Sequence, residues 1–157
     1  MAKALRILKI DKKIDEDSLR TPSIPVGQEE FNSSGLKKFL SDLLQTAKES
    51  EEPAGGLASP QVGLNKRIFY ILDYDTDEWK LFINPEVEPI GFLKSMGEES
   101  CLSVPNREEK VLRYKKVRVR YQDQEGNWHI EKYNDLNAIT IQHEIDHLDG
   151  ILFIDRI

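Results

Sequence analysis

The sequence has 157 residues, of which 39% are hydrophobic and 32% are charged, which is enough for one globular domain with its own core and too little for two ordinary domains. Its single cysteine excludes an internal disulfide and any zinc module built on four cysteines, and its net charge of −6 disfavours general binding to polyanions. No stretch approaches the roughly 20 apolar residues of a membrane span, and the N-terminus lacks a signal-peptide pattern. We therefore expect residues 1–157 to form one cytoplasmic domain that binds neither membranes nor specific nucleic acids.

The N-terminal third is predicted to contain an arm, a helix and a loop. Residues 5–30 are polar, include two prolines and show no sustained period, so we expect an arm that wraps around the domain. Apolar residues then recur at helical spacing from Leu36 to Ala47, after Ser33 or Ser34 as N-cap, which predicts an amphipathic helix. The breaker-rich segment 51–56 ends this helix and leads into a loop.

The middle of the chain has the patterns of β-strands. Aromatic and β-branched residues are enriched, and a Gln-Glu-Gly-Asn turn joins the last two segments as a hairpin. The basic stretch from Arg113 to Arg120 is interleaved with valines, which is typical of the solvent face of a strand, although nucleic-acid contact is the less favoured alternative. The predicted strands cover residues 67–74, 79–84, 111–122 and 128–133.

A final helix is predicted from Asn134 or Asp135 to about Leu148, where Gly150 ends it. Its residues are apolar nearly all round, as in helices buried on every side. The fold class is therefore predicted to be α+β: antiparallel sheets packed around a buried C-terminal helix, with a further N-terminal helix.

This helix carries the strongest chemical signal, the HExxH pattern of His143, Glu144 and His147. Residues four apart lie one turn apart on the same face, so both imidazoles can bind one metal ion while Glu144 reaches a water beside it. The alternative, two core histidines satisfied by hydrogen bonds, is disfavoured because ionisable groups on a buried helix are costly unless they are paired or coordinated.

A catalytic metal site needs a third protein ligand. The ten residues after His147 contain no His, Cys or Glu, and their aspartates, Asp149 and Asp155, lie too close to His147 or at the extreme terminus. We therefore expect an upstream ligand, for which Cys101 is the outstanding candidate because a thiolate suits Zn(II) or Fe(II). Taken alone, one cysteine would more often be a small buried hydrophobe.

The loop from Ala54 to Gly63 is rich in small residues, which allow a backbone to approach a ligand closely. Its amides and carbonyls can bind an extended peptide, and Gln61 offers a side-chain NH₂ group to an oxyanion. The loop lacks the lysine of a phosphate-binding loop, so nucleotide binding is a poor interpretation.

Taken together, these segments resemble the peptide deformylase family. Ala54 to Gln61, Glu99 to Ser103 and Gln142 to Leu148 are similar, in this order, to the family's GxGLAAPQ-like loop, EGCLS segment and QHExDHL helix. Ala54 and Ser59 depart from the loop by small changes. Ser100 replaces the glycine before the cysteine, where the family's substrate side-chain pocket begins, and the chain stops soon after the helix. These departures bear on substrate preference rather than on reaction type.

The resemblance implies hydrolysis of the N-formyl group from formylmethionine at the N-terminus of nascent polypeptides, with release of formate. It also implies one divalent metal ion, Fe(II) in the native enzyme, with Zn(II), Ni(II) or Co(II) able to substitute. Its partners would be N-formyl-methionyl peptides and nascent chains, with transient contact to the ribosome, and the protein would be a monomer. The short C-terminus resembles compact members encoded by bacterial viruses, in which case the location would be the host cytoplasm.

The site residues that the resemblance implies fall into three groups. The metal ligands would be Cys101, His143 and His147. Glu144 would act as general base and acid, with the Gln61 side chain and the Leu102 backbone N–H as oxyanion donors. Substrate would contact Gly55, Gly56, Glu99 and Ser100, and the methionine side chain would lie against Leu136, Ile139 and Thr140, which share a helix face with His143. Ordinary core packing is an equal alternative for the last three.

Two rival functions are weighed against this interpretation. A zinc endopeptidase of the HExxH class is disfavoured because the downstream ligand is missing. A non-catalytic metal-binding domain would hold its ion with four protein ligands and would not hydrolyse formyl-methionyl peptides.

Overall fold

Seven β-strands and three α-helices make up the computed structural model over the residues it describes, 1–50 and 55–157. The strands are β1 (Gly56–Ala58), β2 (Ile68–Asp73), β3 (Glu78–Pro89), β4 (Lys94–Cys101), β5 (Val104–Tyr114), β6 (Lys116–Gln122) and β7 (Trp128–Asn134). They form a five-stranded sheet in the order β1-β2-β3-β6-β7 and a two-stranded sheet of β4 and β5. All neighbouring strands are antiparallel, which confirms the predicted fold class.

The helices are α1 (Lys13–Leu19), α2 (Ser34–Glu49) and α3 (Asp135–Leu148), and short 3₁₀ turns cover Gln28–Glu30, Ser59–Val62 and Phe153–Arg156. The Ser33 hydroxyl caps α2 by accepting a hydrogen bond from the Leu36 amide at 3.1 Å. None of the described helices has the length and apolar character needed to cross a membrane.

The five-stranded sheet is covered by α3 on one face and by α2 on the other. Successive residues of β1 show this alternation, because Leu57 packs in the α2 cluster and Ala58 in the α3 cluster. Phe69 and Phe82, from neighbouring strands, stack at 4.9 Å in the cluster that receives α3. The C-terminal helix is therefore buried against the sheet, as its composition predicts.

The strand predictions need three corrections. The predicted strand 79–84 is too short, because β3 continues to Pro89 through an irregularity between Ile83 and Glu86, where Asn84 has a φ of 50°. The predicted strand 111–122 is two strands in different sheets, divided at Lys115, whose amide donates to the Leu93 carbonyl. Strand β4, which ends at Cys101 after an irregularity beyond Glu99, is not among the predicted strands.

The arm also contains a helix that the sequence does not predict. The seven residues of α1 are too few to show a helical period. Asp15 fixes this helix by accepting hydrogen bonds from both terminal nitrogens of Arg6 and from the Lys9 amide. The arm does wrap around the domain, since the Leu8 amide donates to the Gln61 carbonyl at 2.7 Å.

The basic stretch is only partly on a solvent face: from Lys116 onward it alternates along β6, as predicted, whereas Arg113 lies in β5 and is buried. Val117 and Val119 are buried, whereas Arg118 and Arg120 form ion pairs with Glu88 and Glu86 of β3 at 2.8 and 3.4 Å. Acidic partners thus offset these charges, which leaves little support for a nucleic-acid surface.

Candidate metal and active site

Cys101, His143 and His147 come together where the end of β4 meets α3. Their ligand atoms all lie within 4.8 Å of one another, and Cys101 Sγ is 3.4 Å from His147 Nε2. In a tetrahedral site with typical metal–sulfur and metal–nitrogen bond lengths, such a pair of atoms would be separated by about 3.5 Å. The spacing and the soft donor set therefore fit a divalent transition-metal ion.

The outward-facing nitrogen of His143 is held by a carboxylate. His143 Nδ1 lies 2.8 Å from Glu99 Oε1, which leaves Nε2 free to face the other two candidate ligands. Glu99 also binds Arg113 through both oxygens at 2.8 and 2.9 Å. Burial alone would raise the pKa of Glu99, but hydrogen bonds from Arg113 and His143 outweigh it and lower this pKa from 4.5 to about 2. The carboxylate is therefore ionised and orients the imidazole.

The imidazole of His147 is 1% exposed. Burial lowers the pKa of His147 well below 6.5, so that its ring is neutral. A neutral imidazole is the form that binds a metal ion. Its Nδ1 atom has no hydrogen-bond partner among the described residues.

Glu144 lies on the same helix with its carboxyl group towards β1. Its Oε1 atom is buried and has no hydrogen-bond partner among residues 1–50 and 55–157. Burial raises the pKa of this carboxyl from 4.5 to about 7. A β-carbon added to Gly56 would lie 2.8 Å from Glu144 Oε2 and 2.9 Å from the Tyr70 carbonyl oxygen, so only glycine permits this approach of strand to helix.

The amide of Gln61 has a fixed orientation. Its Oε1 accepts a hydrogen bond from the Ala58 amide at 3.0 Å, and its Nε2 donates to Ser103 Oγ at 3.1 Å. The same nitrogen lies 3.5 Å from Cys101 Sγ. The NH₂ group therefore points towards the candidate metal site, where an oxyanion would need a donor.

A cavity opens onto this cluster and contains nearly all of the predicted site residues. His147 is the exception, because it is buried and does not line the cavity. Leu136 is 58% exposed at the rim, and Ile139 and Thr140 are half-buried in the wall, which disfavours plain core packing for these three. The lining comprises Gly55, Gly56, Gln61, Tyr74, Glu98, Glu99, Ser100, Cys101, Leu102, Leu136, Ile139, Thr140, His143 and Glu144. Ala54, the start of the predicted loop, lies outside the described residues.

Sequence reasoning missed Tyr74 and Glu98. Tyr74 follows β2, and its hydroxyl lies 3.0 Å from the position of a β-carbon on Gly55. Its amide donates to Asn137 Oδ1 at 3.0 Å, which fixes it beside α3. No local pattern marks it, because only the tertiary fold brings the end of β2 to the loop. Glu98 could have been found once β4 was recognised as a strand that reaches the site.

Sequence reasoning also missed the partners of the ligands. Arg113 was assigned to a solvent face, yet it is 4% exposed and binds both Glu99 and Asp146. Glu99 was predicted to contact substrate, but its side chain is occupied by His143 and Arg113. Any contact between Glu99 and a bound peptide would therefore involve its backbone.

Comparisons with known proteins identify the family of this chain. The sequence matches the polypeptide deformylase family model over residues 5–157. It is 36% identical over 152 residues to the peptide deformylase of Zymomonas mobilis subsp. mobilis, which covers 92% of this chain and 83% of that protein. The class I type b peptide deformylase from Acinetobacter baumannii, solved with Met-Ala-Ser bound, superposes with a TM-score of 0.89 at 30% identity and 100% coverage of both chains. A probable peptide deformylase from Synechococcus phage S-SSM7 has a TM-score of 0.84 at 32% identity, covering 98% of this chain and 100% of that one. The chain therefore belongs to the polypeptide deformylase family.

Proposed function

We propose that this chain is a metal-dependent hydrolase that removes the N-formyl group from formylmethionine at the N-terminus of nascent polypeptides. The observation that carries this function is the grouping of one thiol and two imidazoles within 4.8 Å, with a buried carboxyl group beside them at the floor of an open cavity. Membership of the deformylase family supports the reaction class.

Cys101, His143 and His147 would hold one divalent ion and leave a position open to water. We propose Fe(II) as the native ion, with Zn(II), Ni(II) or Co(II) able to substitute, because a thiolate with two imidazoles suits each of them. When bound, such an ion supplies positive charge that lowers the pKa of water and stabilises negative charge on the formyl oxygen.

Glu144 is placed to move the protons of the reaction. With a pKa of about 7, its carboxylate can accept a proton from the attacking water near neutral pH. The water oxygen forms a bond to the formyl carbon, the carbon–nitrogen bond breaks, and the proton passes to the leaving amine. The products are formate and a free α-amine.

Gln61 and Leu102 would stabilise the charge that builds up on the formyl oxygen. The fixed NH₂ group of Gln61 supports this role, and Leu102 directly follows Cys101 at the cavity wall. Loss of one such donor typically raises a barrier by about 3 kcal/mol.

The substrate would lie across the cavity as an added strand. The backbones of Gly55 and Gly56, together with Glu99 and Ser100, would hold the peptide. Leu136, Ile139 and Thr140 would contact the methionine side chain, which agrees with their position in the cavity wall. The binding of Met-Ala-Ser by the Acinetobacter baumannii enzyme supports a peptide in this site.

We propose that residues 1–157 are one catalytic domain, that the protein is a cytoplasmic monomer, and that it contacts the ribosome transiently. The endopeptidase alternative would require cleavage of an internal, unformylated peptide bond, and the non-catalytic alternative would require a metal-replete protein without formate release.

The test is a formate-release assay with metal analysis on the same sample. Protein prepared anaerobically with Fe(II) or Ni(II) should deformylate formyl-Met-Ala, and Glu144→Gln should keep its metal while activity falls about 10²–10⁴-fold, the usual contribution of a general base. An active Glu144→Gln variant would exclude Glu144 as the base, and an inactive metal-replete wild type would exclude the proposed reaction.

A further inference from the structure

The C-terminal turn, Phe153–Arg156, contacts the metal-site helix at two points. The Phe153 ring lies against that of His143, with centroids 6.0 Å apart and an interplanar angle of 27°. Arg156 donates from Nε and Nη2 to the two oxygens of Asp146 at 2.6 and 2.8 Å. This two-point geometry fixes the carboxylate in both position and rotation.

A continuous chain of hydrogen bonds leads from Arg156 to the candidate ligand. Asp146 also accepts from Nη1 of Arg113 at 2.6 Å, and Arg113 in turn holds both oxygens of Glu99. Glu99 binds Nδ1 of His143 at 2.8 Å. The order is therefore Arg156, Asp146, Arg113, Glu99 and His143, and the three middle groups are all buried.

The charges explain why this series of hydrogen bonds needs Arg156. The two buried carboxylates, Glu99 and Asp146, share the buried guanidinium of Arg113. A buried charge without a partner is strongly unfavourable, so removing Arg156 would leave one carboxylate undercompensated. Arg113 would then be drawn towards Asp146, and Glu99 would be free to turn away from the imidazole.

We propose that Arg156 is a positioning residue for the metal site. By holding both oxygens of Asp146, it fixes Arg113 and Glu99 and, through them, keeps His143 Nε2 directed at the other two ligands. This inference rests on the metal site of the proposed function and extends it to a residue at the C-terminal turn, which contacts no ligand itself.

A second arginine separates positioning from simple anchoring of the turn. Arg20 donates from Nη1 to Asp155 Oδ2 at 2.8 Å and also pairs with Glu16. It holds the same turn through Asp155, without a bond to Asp146. Arg20→Ala therefore loosens the turn but leaves the chain from Arg156 to His143 in place, which makes it the matched control.

The experiment uses metal-free full-length protein as wild type, Arg156→Ala, Arg156→Lys and Arg20→Ala. Co(II) affinity is measured by competition with a chelator, together with the absorption spectrum of the Co(II) form and thermal unfolding of the metal-free form. We expect Arg156→Ala to weaken Co(II) binding about tenfold and to alter the spectrum. A tenfold loss is the low end of what is typical when a residue hydrogen-bonded to a metal-binding side chain is removed. Arg156→Lys should recover part of the affinity, and Arg20→Ala should stay within about twofold of wild type.

The proposal is overturned if Arg156→Ala binds Co(II) with the wild-type affinity and spectrum, even if it unfolds at a lower temperature. It is also overturned if Arg20→Ala weakens binding as much, because the effect would then come from a loosened turn. If Arg156→Ala does not fold, wild-type affinity in Arg156→Lys at reduced thermal stability would equally overturn it. None of these measurements depends on formate release, so failure of the proposed reaction would be recognised separately.

Discussion

At the residue scale, Glu144 combines a proposed catalytic role with an unfavourable position in the folded protein. Burial keeps its carboxyl group protonated up to a pKa of about 7, whereas the unfolded chain ionises near 4.5. Between pH 4.5 and pH 7 the folded state binds a proton at Glu144 that the unfolded chain has released. The free energy of unfolding therefore falls as the pH rises through this range. At 1.36 kcal/mol per pKa unit, the cost reaches about 3 kcal/mol above pH 7.

Glu144→Gln should therefore stabilise the metal-free protein in a pH-dependent manner. Glutamine cannot ionise, so we expect a gain in the free energy of unfolding of about 2–3 kcal/mol at pH 8 and of under about 1 kcal/mol at pH 5. Urea unfolding at both pH values measures the difference.

The control for this prediction is Glu125→Gln, which changes an exposed carboxyl group in the turn between β6 and β7. Surface changes of this kind alter stability by about 0.5 kcal/mol or less, and we expect no pH trend. An equal gain for Glu144→Gln at pH 5 and pH 8 would contradict the raised pKa as its cause.

The sequence could indicate the site residues that belong to a local pattern. His143 and His147 follow from helical spacing, and Cys101 followed from the absence of a downstream ligand. Tyr74 and Arg113 could not be found in this way, because what places them at the site is the contact between distant elements. An arginine in an alternating strand has the same local pattern whether it faces solvent or two buried carboxylates.

At the element scale, the end of α3 is determined by Gly150. Its φ of +76° is in the left-handed region, and a β-carbon there would lie 2.4 Å from the Arg20 carbonyl oxygen. The arm thus passes so close to the helix end that no side chain fits, and the Ser23 amide donates to the Leu148 carbonyl beside it. Gly150 therefore serves both the helix end and the docking of the arm.

Gly150→Ala should destabilise the protein more than the same substitution at a left-handed glycine that has open space around it. Gly91, with a φ of +75° and no atom within 4 Å of an added β-carbon, is the matched control. We expect Gly91→Ala to cost about 1–2 kcal/mol, the usual penalty of a left-handed residue, and Gly150→Ala to cost at least about 2 kcal/mol more because backbone must move. Urea unfolding of both variants measures this, and equal losses would show that the arm yields freely.

The long helices were predictable, whereas the short helix and the boundary between two consecutive strands were not. α2 and α3 span enough turns for their apolar spacing to be read, whereas α1 covers only seven residues and depends on Asp15. The boundary between β5 and β6 at Lys115 escaped detection because alternation continues across it. The partner strand, which the local sequence does not encode, decides where one sheet ends and the other begins.

At the scale of the whole molecule, the proposed metal site joins the two sheets. Cys101 belongs to β4 of the two-stranded sheet, whereas His143 and His147 belong to the helix that packs on the five-stranded sheet. An ion bound by all three would connect parts of the chain more than 40 residues apart. Because the unfolded chain does not hold these ligands together, the free energy of metal binding adds to the free energy of folding.

Removal of the metal should therefore lower the melting temperature of the entire domain. With free Ni(II) at about 1,000 times its dissociation constant, the added stability is about 4 kcal/mol, which for a chain of this size is a shift of roughly 8–16 °C. Calorimetry of wild type and Cys101→Ser, each with Ni(II) and with chelator, measures the shift. The serine variant keeps both histidines but lacks the thiolate, so we expect it to lose most of the shift. An undiminished shift in Cys101→Ser would place the third ligand elsewhere and leave the two sheets unconnected by the ion.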